Sequence, residues 1–297
     1  MSSLPTGPDV AAWAAGSPAP EVATTVAATP DHDLESFLRG PGRDAVPRVL
    51  ERLADFTVPA RLAEVRADVA FATTGRGGVR RVLRLADGTA SPVAEDATAD
   101  VEVAAAPADL LRLVCGGANA AMLLLGGRLT VTGDGGVGLA VGGLFARPGQ
   151  PDVAVDPTDV DPEQVARLLK GVPDKHLRAV MTGGFREVVL DQVFTRFPEF
   201  VDHDKAARRS ISVGFTITGR PDGGSDRWAV TLEHGSCLVE RDVEARQATI
   251  TADGADFLKL ATGHLNPMAG VVRGRLKVRG DLKAALALHG VMRVPGS

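Results

Sequence analysis

A chain of 297 residues that is 44% hydrophobic and 24% charged has the make-up of a soluble globular protein long enough for about two domains. Its formal net charge of −4 and pI near 5.9 exclude the basic footprint of a nucleic-acid binder. Cys115 and Cys237 have no CxxC spacing, which excludes a disulfide framework or a zinc site, and no apolar run approaches the ~20 residues of a membrane helix. The first basic residue is Arg39 and the chain ends Pro295-Gly296-Ser297, so neither a secretory n-region nor a sorting signal is expected, and a cytoplasmic location is.

In chain order, residues 1–33 are rich in Ala, Pro, Thr and Ser and read as a flexible arm with too little apolar surface to offset its ordering entropy. A first domain, 34–147, opens with a helix whose Val46, Val49, Leu50, Leu53 and Phe56 share one face. Strands follow around Val69 and Phe71, from Val79 to Leu85, from Ala90 to Ala94 and from Val101 to Val103. Residues 148–161, rich in Pro and Asp, read as a linker. A second domain, 162–297, opens with extra helices marked by Val165, Leu168, Leu169, Leu177, Val180 and Met181 that have no counterpart in the first.

The two domains are copies of each other. Ala108-Asp109-Leu110-Leu111-Arg112-Leu113, Gly116, Asn119 and Gly127-Arg128-Leu129-Thr130-Val131-Thr132-Gly133-Asp134 recur as Ala255-Asp256-Phe257-Leu258-Lys259-Leu260, Gly263, Asn266 and Gly274-Arg275-Leu276-Lys277-Val278-Arg279-Gly280-Asp281, at a constant offset of 147. The residue types define a local structure. An acid in the first turn and a base later make a helix, Gly116 and Gly263 close it, Asn119 and Asn266 cap a second helix, and Asp134 and Asp281 cap a last one after a short strand. Upstream, Leu190, Val193, Phe194, Phe197 and Phe200 repeat the first helix face at an offset of 144. Loops absorb the three-residue difference around Pro221–Ser225. Each copy is therefore a helix, four strands, two helices, a fifth strand and a final helix.

Gly263-His264-Leu265-Asn266-Pro267 followed by Gly274-Arg275-Leu276-Lys277-Val278-Arg279-Gly280-Asp281 resembles the sterol carrier protein type-two family. Gly116-Gly117-Ala118-Asn119-Ala120 of the first copy resembles it without the proline. The resemblance implies an α+β fold of two tandem domains, each a five-stranded, mostly antiparallel sheet covered by helices. It also implies an apolar tunnel for lipids such as fatty acyl chains, acyl-CoA or sterols. About 0.8 kcal/mol per buried methylene lets any greasy cavity retain a long chain, so no polar ligand motif is required.

The leading functional reading is thus a carrier of a lipid or other hydrophobic small molecule, with no cofactor, no metal and no nucleic-acid partner; a dimer is left open. The alternative is an enzyme that uses the same tunnel for isomerisation, cyclisation or group transfer on a hydrophobic intermediate. The second copy carries the bulkier apolar set and is expected to hold the ligand between Phe215, Trp228, Leu258, Leu260, Met268, Ala285, Leu286, Leu288 and Met292, with His264 and His289 near a polar headgroup.

Gly133-Asp134-Gly135-Gly136-Val137-Gly138 satisfies GxGxxG, but its duplicate Gly280-Asp281-Leu282-Lys283-Ala284-Ala285 keeps the turn and loses the glycines, which argues against a dinucleotide site. Gly135, Gly136, Gly138, Gly142 and Gly143 should leave the last helix of the first copy frayed, bent or close against another backbone.

Overall fold

A repeated signature should build the same sheet twice, and in the computed structural model it does. The structure describes residues 4–5, 9–75, 78–244 and 247–296. It divides into two compact units, Met1–Val160 and Asp161–Ser297.

In the first unit α1 (Asp9–Gly16), α2 (Ala19–Ala28) and α3 (Asp31–Arg39) precede α4 (Ala45–Glu51), a 3-10 turn (Leu53–Phe56) and α5 (Pro59–Ala63). The sheet comprises β1 (Ala67–Thr73), β2 (Arg80–Ala86), β3 (Thr89–Pro92), β4 (Val101–Ala105) and, after α6 (Pro107–Val114) and α7 (Ala120–Leu125), β5 (Leu129–Gly133). Then come α8 (Gly135–Gly142) and a hairpin of β6 (Ala146–Arg147) and β7 (Gln150–Ala154).

The second unit contains α9 (Pro162–Leu169), α10 (Asp174–Thr182), α11 (Arg186–Thr195), a 3-10 turn (Phe197–Phe200) and α12 (His203–Ala206). Its sheet is β8 (Ser210–Thr218), β9 (Asp226–Glu233), β10 (Ser236–Arg241), β11 (Ala248–Asp253) and, after α13 (Gly254–Ala261) and α14 (Pro267–Val272), β12 (Leu276–Gly280); α15 (Leu282–Gly290) follows.

The strand orders are β3-β2-β1-β4-β5 and β10-β9-β8-β11-β12. Only the pairs β1/β4 and β8/β11 are parallel; every other neighbour in the two sheets is antiparallel. Alternation gives each sheet an apolar face. Phe71, Val103 and Val131 lie in one rung of the first sheet, and Phe215, Ile250 and Val278 lie in the matching rung of the second.

The repeated polar residues fill the structural roles their chemistry suggests. Asn119 accepts hydrogen bonds from the amides of Ala121 and Met122, and Asn266 from that of Ala269. Asp134 caps α8 through Gly136 and Val137, and Asp281 caps α15 through Lys283. Gly133 and Gly280 have φ of 102° and 84°, where a Cβ would stand 2.2 Å from the Asp100 carbonyl oxygen and 2.3 Å from that of Gln247. Only glycine fits there. Gly133 and Asp134 of the GxGxxG stretch are thus a strand exit and a helix cap.

The expected flexible arm is instead folded. Val10, Trp13, Ala14, Val22 and Val26 are buried, and Trp13 meets Phe37 edge to face at 6.0 Å. Arg52 donates to the Ser17 carbonyl at 2.9 Å, and Arg112 donates to the Val26 carbonyl at 3.1 Å and pairs with Asp31 at 2.8 Å. Its buried residues are mostly alanines and valines in short helices, which carry little amphipathic contrast in the sequence. The expected linker also differs, since Gln150–Ala154 is a strand of the hairpin.

The extra helices of the second unit do have counterparts: α2 and α3 correspond to α9 and α10 at a constant offset of 143. Pro30-Asp31 and Pro173-Asp174 open α3 and α10. Leu34 and Leu177 are both wholly buried, and Gly40 and Gly183 are both C-caps. Arg112 binds Asp31, and its equivalent Lys259 binds Asp174. The duplicated unit therefore includes a helical pair: α2 and α3 pack on α6 in the first copy, and α10 packs on α13 in the second.

Deleting residues 2–29 should lower the melting temperature by roughly 10 °C or more, because each large apolar side chain uncovered costs about 2 kcal/mol. A thermal melt followed by circular dichroism measures it. Lys259 holds the Asp174 carboxyl below its usual value of 3.8, chiefly by hydrogen bonding. Such a group stabilises above its unfolded pKa, and the contribution is lost as pH falls through the folded value. Lys259→Ala should accordingly lower stability at neutral pH and narrow the difference from wild type as pH falls below 3.8, in urea melts across that range.

Candidate functional site

The site begins from one rung of the second sheet. Phe215 pairs with Trp228, and Trp228 pairs with Arg241, so the three side chains stand in a row on the face that carries Ile250 and Val278. Phe194 of α11 descends on this row. Its ring stacks on Trp228 at 4.5 Å and on Phe257 of α13 at 5.1 Å, and meets Phe215 at 5.6 Å. Phe197 lies alongside, 6.3 Å from Phe194. In the first unit the equivalents of Phe194, Phe197 and Phe257 are Leu50, Leu53 and Leu110, and that of Trp228 is Arg81.

The row ends in polar groups. The Trp228 Nε1 atom is buried and has no hydrogen-bond acceptor among the described residues. A buried donor left unpaired costs about 1–3 kcal/mol. The Arg241 guanidinium lies over the indole at 5.5 Å and donates to Glu187 at 3.0 Å, with Asp191 at 3.7 Å. Burial, with smaller contributions from Glu187 and Asp226, outweighs Arg241 and raises the Asp191 pKa. Behind them Arg186 and Asp226, 5% and 8% exposed, pair at 2.7 Å, and Arg186 also donates to the carbonyls of Met181 and Ile217.

The expected ligand residues fall into three groups. Phe215, Leu258, Ala285 and Leu288 are buried in the second unit, Phe215 within the aromatic cluster. Trp228, Leu260, Leu286 and Met292 are half-buried. Met268 is 49% exposed on α14. His264 has its Nε2 atom 2.6 Å from the Ala166 carbonyl, which ties it to α9. His289 is exposed at the end of α15, where partial desolvation lowers its imidazole pKa. Neither histidine lies in the Arg241 rung. Burial raises the thiol of Cys237 to about 11 and that of Cys115 still further, which leaves both protonated at neutral pH.

Sequence reasoning missed Arg241, Asp191 and Glu187. The one available signal was the i, i+4 spacing of the two acids on α11, and nothing in the sequence connects that helix to β10. Among the described residues there is no group of three or more His, Cys, Asp or Glu side chains placed to hold a metal.

The last helices of the two units also differ in their surroundings. Gly142 of α8 would place a Cβ 2.9 Å from that of Ala120 and 3.7 Å from that of Pro157, and Gly143 lies against Pro157 as well. Asn119 donates to the Asp156 carbonyl at 2.9 Å. Gly142 and Gly143 thus lie against the Ala120 and Pro157 side chains rather than against another backbone.

Comparison with known proteins follows this duplication. Residues 47–146 and 191–293 each match the SCP-2 sterol transfer family. Together they cover more than half of the chain, which therefore belongs to that family. Human sterol carrier protein 2 is 34% identical over 85 residues, covering 28% of this chain and 15% of that protein. The non-specific lipid-transfer protein-like 1 of Caenorhabditis elegans is 22% identical over 104 residues, 34% of this chain and 88% of that protein. A crystal structure of sterol carrier protein 2 aligns at 24% identity with a TM-score of 0.28, covering 34% of this chain and 84% of that one. The chain thus spans only 15% of the length of the vertebrate relatives it matches. The helical pairs 19–40 and 162–183 lie outside both matched regions.

Phe194→Ala should destabilise the protein by about 3–5 kcal/mol, the range for removing a buried phenyl ring. It should also alter the emission of Trp228. Urea denaturation followed at the tryptophan band reads both.

Proposed function

We propose that the second unit binds a lipid or other hydrophobic small molecule in a tunnel. Its apolar body lies against the inner face of the sheet beneath α13 and α15, and its hydrogen-bond acceptor lies at Trp228. The buried, unpaired Nε1–H of Trp228 beside Arg241 is the observation that carries this reading. A ligand carboxylate, carbonyl or hydroxyl oxygen would satisfy the indole, and a carboxylate would also gain from the guanidinium. Family membership supports the ligand class.

Apolar burial then supplies most of the affinity. A sixteen-carbon chain gains roughly 12 kcal/mol before entropic losses, at about 0.8 kcal/mol per methylene. Ala285, Leu286, Leu288 and Met292 contribute the wall on the α15 side. The first unit has Arg81 in place of Trp228, and Gly142 packs against Ala120 and Pro157, so it takes the supporting role.

Mass spectrometry of organic extracts from the purified protein should detect a bound lipid, and a fluorescent fatty acid should bind at micromolar concentration. Leu288→Trp or Ala285→Trp should weaken that binding at least ~10-fold by filling the wall, whereas Ala140→Trp in the first unit leaves it unchanged. Trp228→Phe keeps the stack and removes the donor, so affinity should fall about 10-fold with little loss of stability. Absence of any lipid and of probe binding, together with turnover of a hydrophobic intermediate, would replace the carrier reading with an enzymatic one.

A further inference from the structure

The two copies diverge most coherently in one stretch outside the proposed ligand site. On α14 the aliphatic side chains of Met268 and Val272 are 49% and 82% exposed, and Leu282 at the start of α15 is 40% exposed. Met268 and Val272 are four residues apart and therefore share a helix face. Around them Arg273, Lys277, Arg279 and Lys283 are all exposed, and none forms an ion pair with the described residues. At the equivalent positions the first unit has Ala121, Leu125 and Gly135 for the aliphatics and Gly126, Thr130, Thr132 and Gly136 for the bases. Leu125 is 7% exposed.

These residues share the β12 edge of the second unit. β12 is the outermost strand of its sheet and packs against α14. Leu276 of β12 points under α14, where it meets Gly270. Lys277 and Arg279 alternate with it and extend from the opposite face, beside Thr251 and Thr249 of β11. The edge therefore presents a greasy crest from the helix layer and a row of long bases from the sheet layer. Asp281 is the acid of this stretch, and its carboxylate is engaged in capping the Lys283 amide at 2.8 Å.

We infer that this edge is a docking surface for an anionic lipid bilayer. Three aliphatic side chains on short elements, with no aromatic among them, are poor anchors for a protein interface, which concentrates its energy in buried Trp, Tyr and Arg pockets. They suit shallow insertion among acyl chains. Four bases on flexible stems can reach anionic headgroups from either side of the crest. A chain whose net charge is −4 would approach such a membrane through this locally basic edge. The inference rests on the surface alone and does not depend on what the interior holds.

The full chain should co-sediment with vesicles of phosphatidylcholine containing about one-third phosphatidylglycerol and bind pure phosphatidylcholine vesicles at least ~10-fold more weakly. Binding should fall about 10-fold between ~0.05 and ~0.5 M salt as headgroup attraction is screened. The double variant Lys277→Glu, Arg279→Glu should lose about 10-fold in affinity, and Met268→Ser with Val272→Ser should lose a similar factor. All four positions are exposed, so circular dichroism should report an unchanged fold. Thr130→Glu with Thr132→Glu in the first unit should leave sedimentation unchanged. Equal binding to both vesicle types, or an unaltered response in the glutamate variant, overturns the inference. Failure to sediment, with retention on an immobilised acidic peptide, overturns it in favour of an acidic protein partner.

Discussion

Each unit is organised around one repeated ion pair whose carboxylate is buried. Asp109 lies in the first turn of α6, and Arg128 stands just before β5; their side chains bond across 19 residues of chain. Asp256 and Arg275 do the same between α13 and β12. The carboxylates are 6% and 4% exposed, so each needs its arginine: a buried charge without a partner is far costlier than the pair. The bond holds the first signature helix against the strand that follows the second. It therefore fixes the path of the α6–α7 and α13–α14 segments over the sheets and the register from which α8 and α15 start.

A second base in the same helix extends the constraint outward. Arg112 and Lys259, three residues after the buried aspartates, reach the opening residues of α3 and α10. Arg275 also approaches Asp174 at 3.4 Å, so in the second unit the two linkages join into one network. The helical pairs are consequently integral to the duplicated unit although they lie outside the regions that define the family. A constant offset of 143 through α2 and α3 is the trace of that shared origin.

Within this common frame the two copies have moved apart in three places. The inner rung of the second sheet has an indole where the first has an arginine, and aromatic rings where the first has leucines. The last helix carries bulky apolar side chains in the second copy, whereas glycines in the first admit Ala120 and Pro157. The β12 edge carries bases and exposed aliphatics that the first copy lacks. All three differences concentrate aromatic, bulky apolar and basic side chains in the second copy. The first retains the signature that holds the fold.

The sequence by itself determined the duplication, the fold class, the five strands of each main sheet and the caps. Asn119, Asp134, Gly133 and their duplicates act through contacts within a few residues or through a backbone conformation that only one residue type tolerates, so spacing reveals them. Phe215, Leu258, Ala285 and Leu288 are legible in the sequence as apolar and buried, because periodicity reports burial. Other features depended on residues far apart in the chain. Trp13 and Val22 are buried only because α4 and α6 cover weakly amphipathic helices. Arg241 meets Trp228, Glu187 and Asp191 only because strand pairing and helix packing bring β9, β10 and α11 together. Met268 and Leu288, both apolar in sequence, end on opposite sides of the solvent boundary. The tertiary structure decided these matters, since the free energy of an unpaired donor, a buried charge or an exposed methyl group depends on what the rest of the chain places beside it.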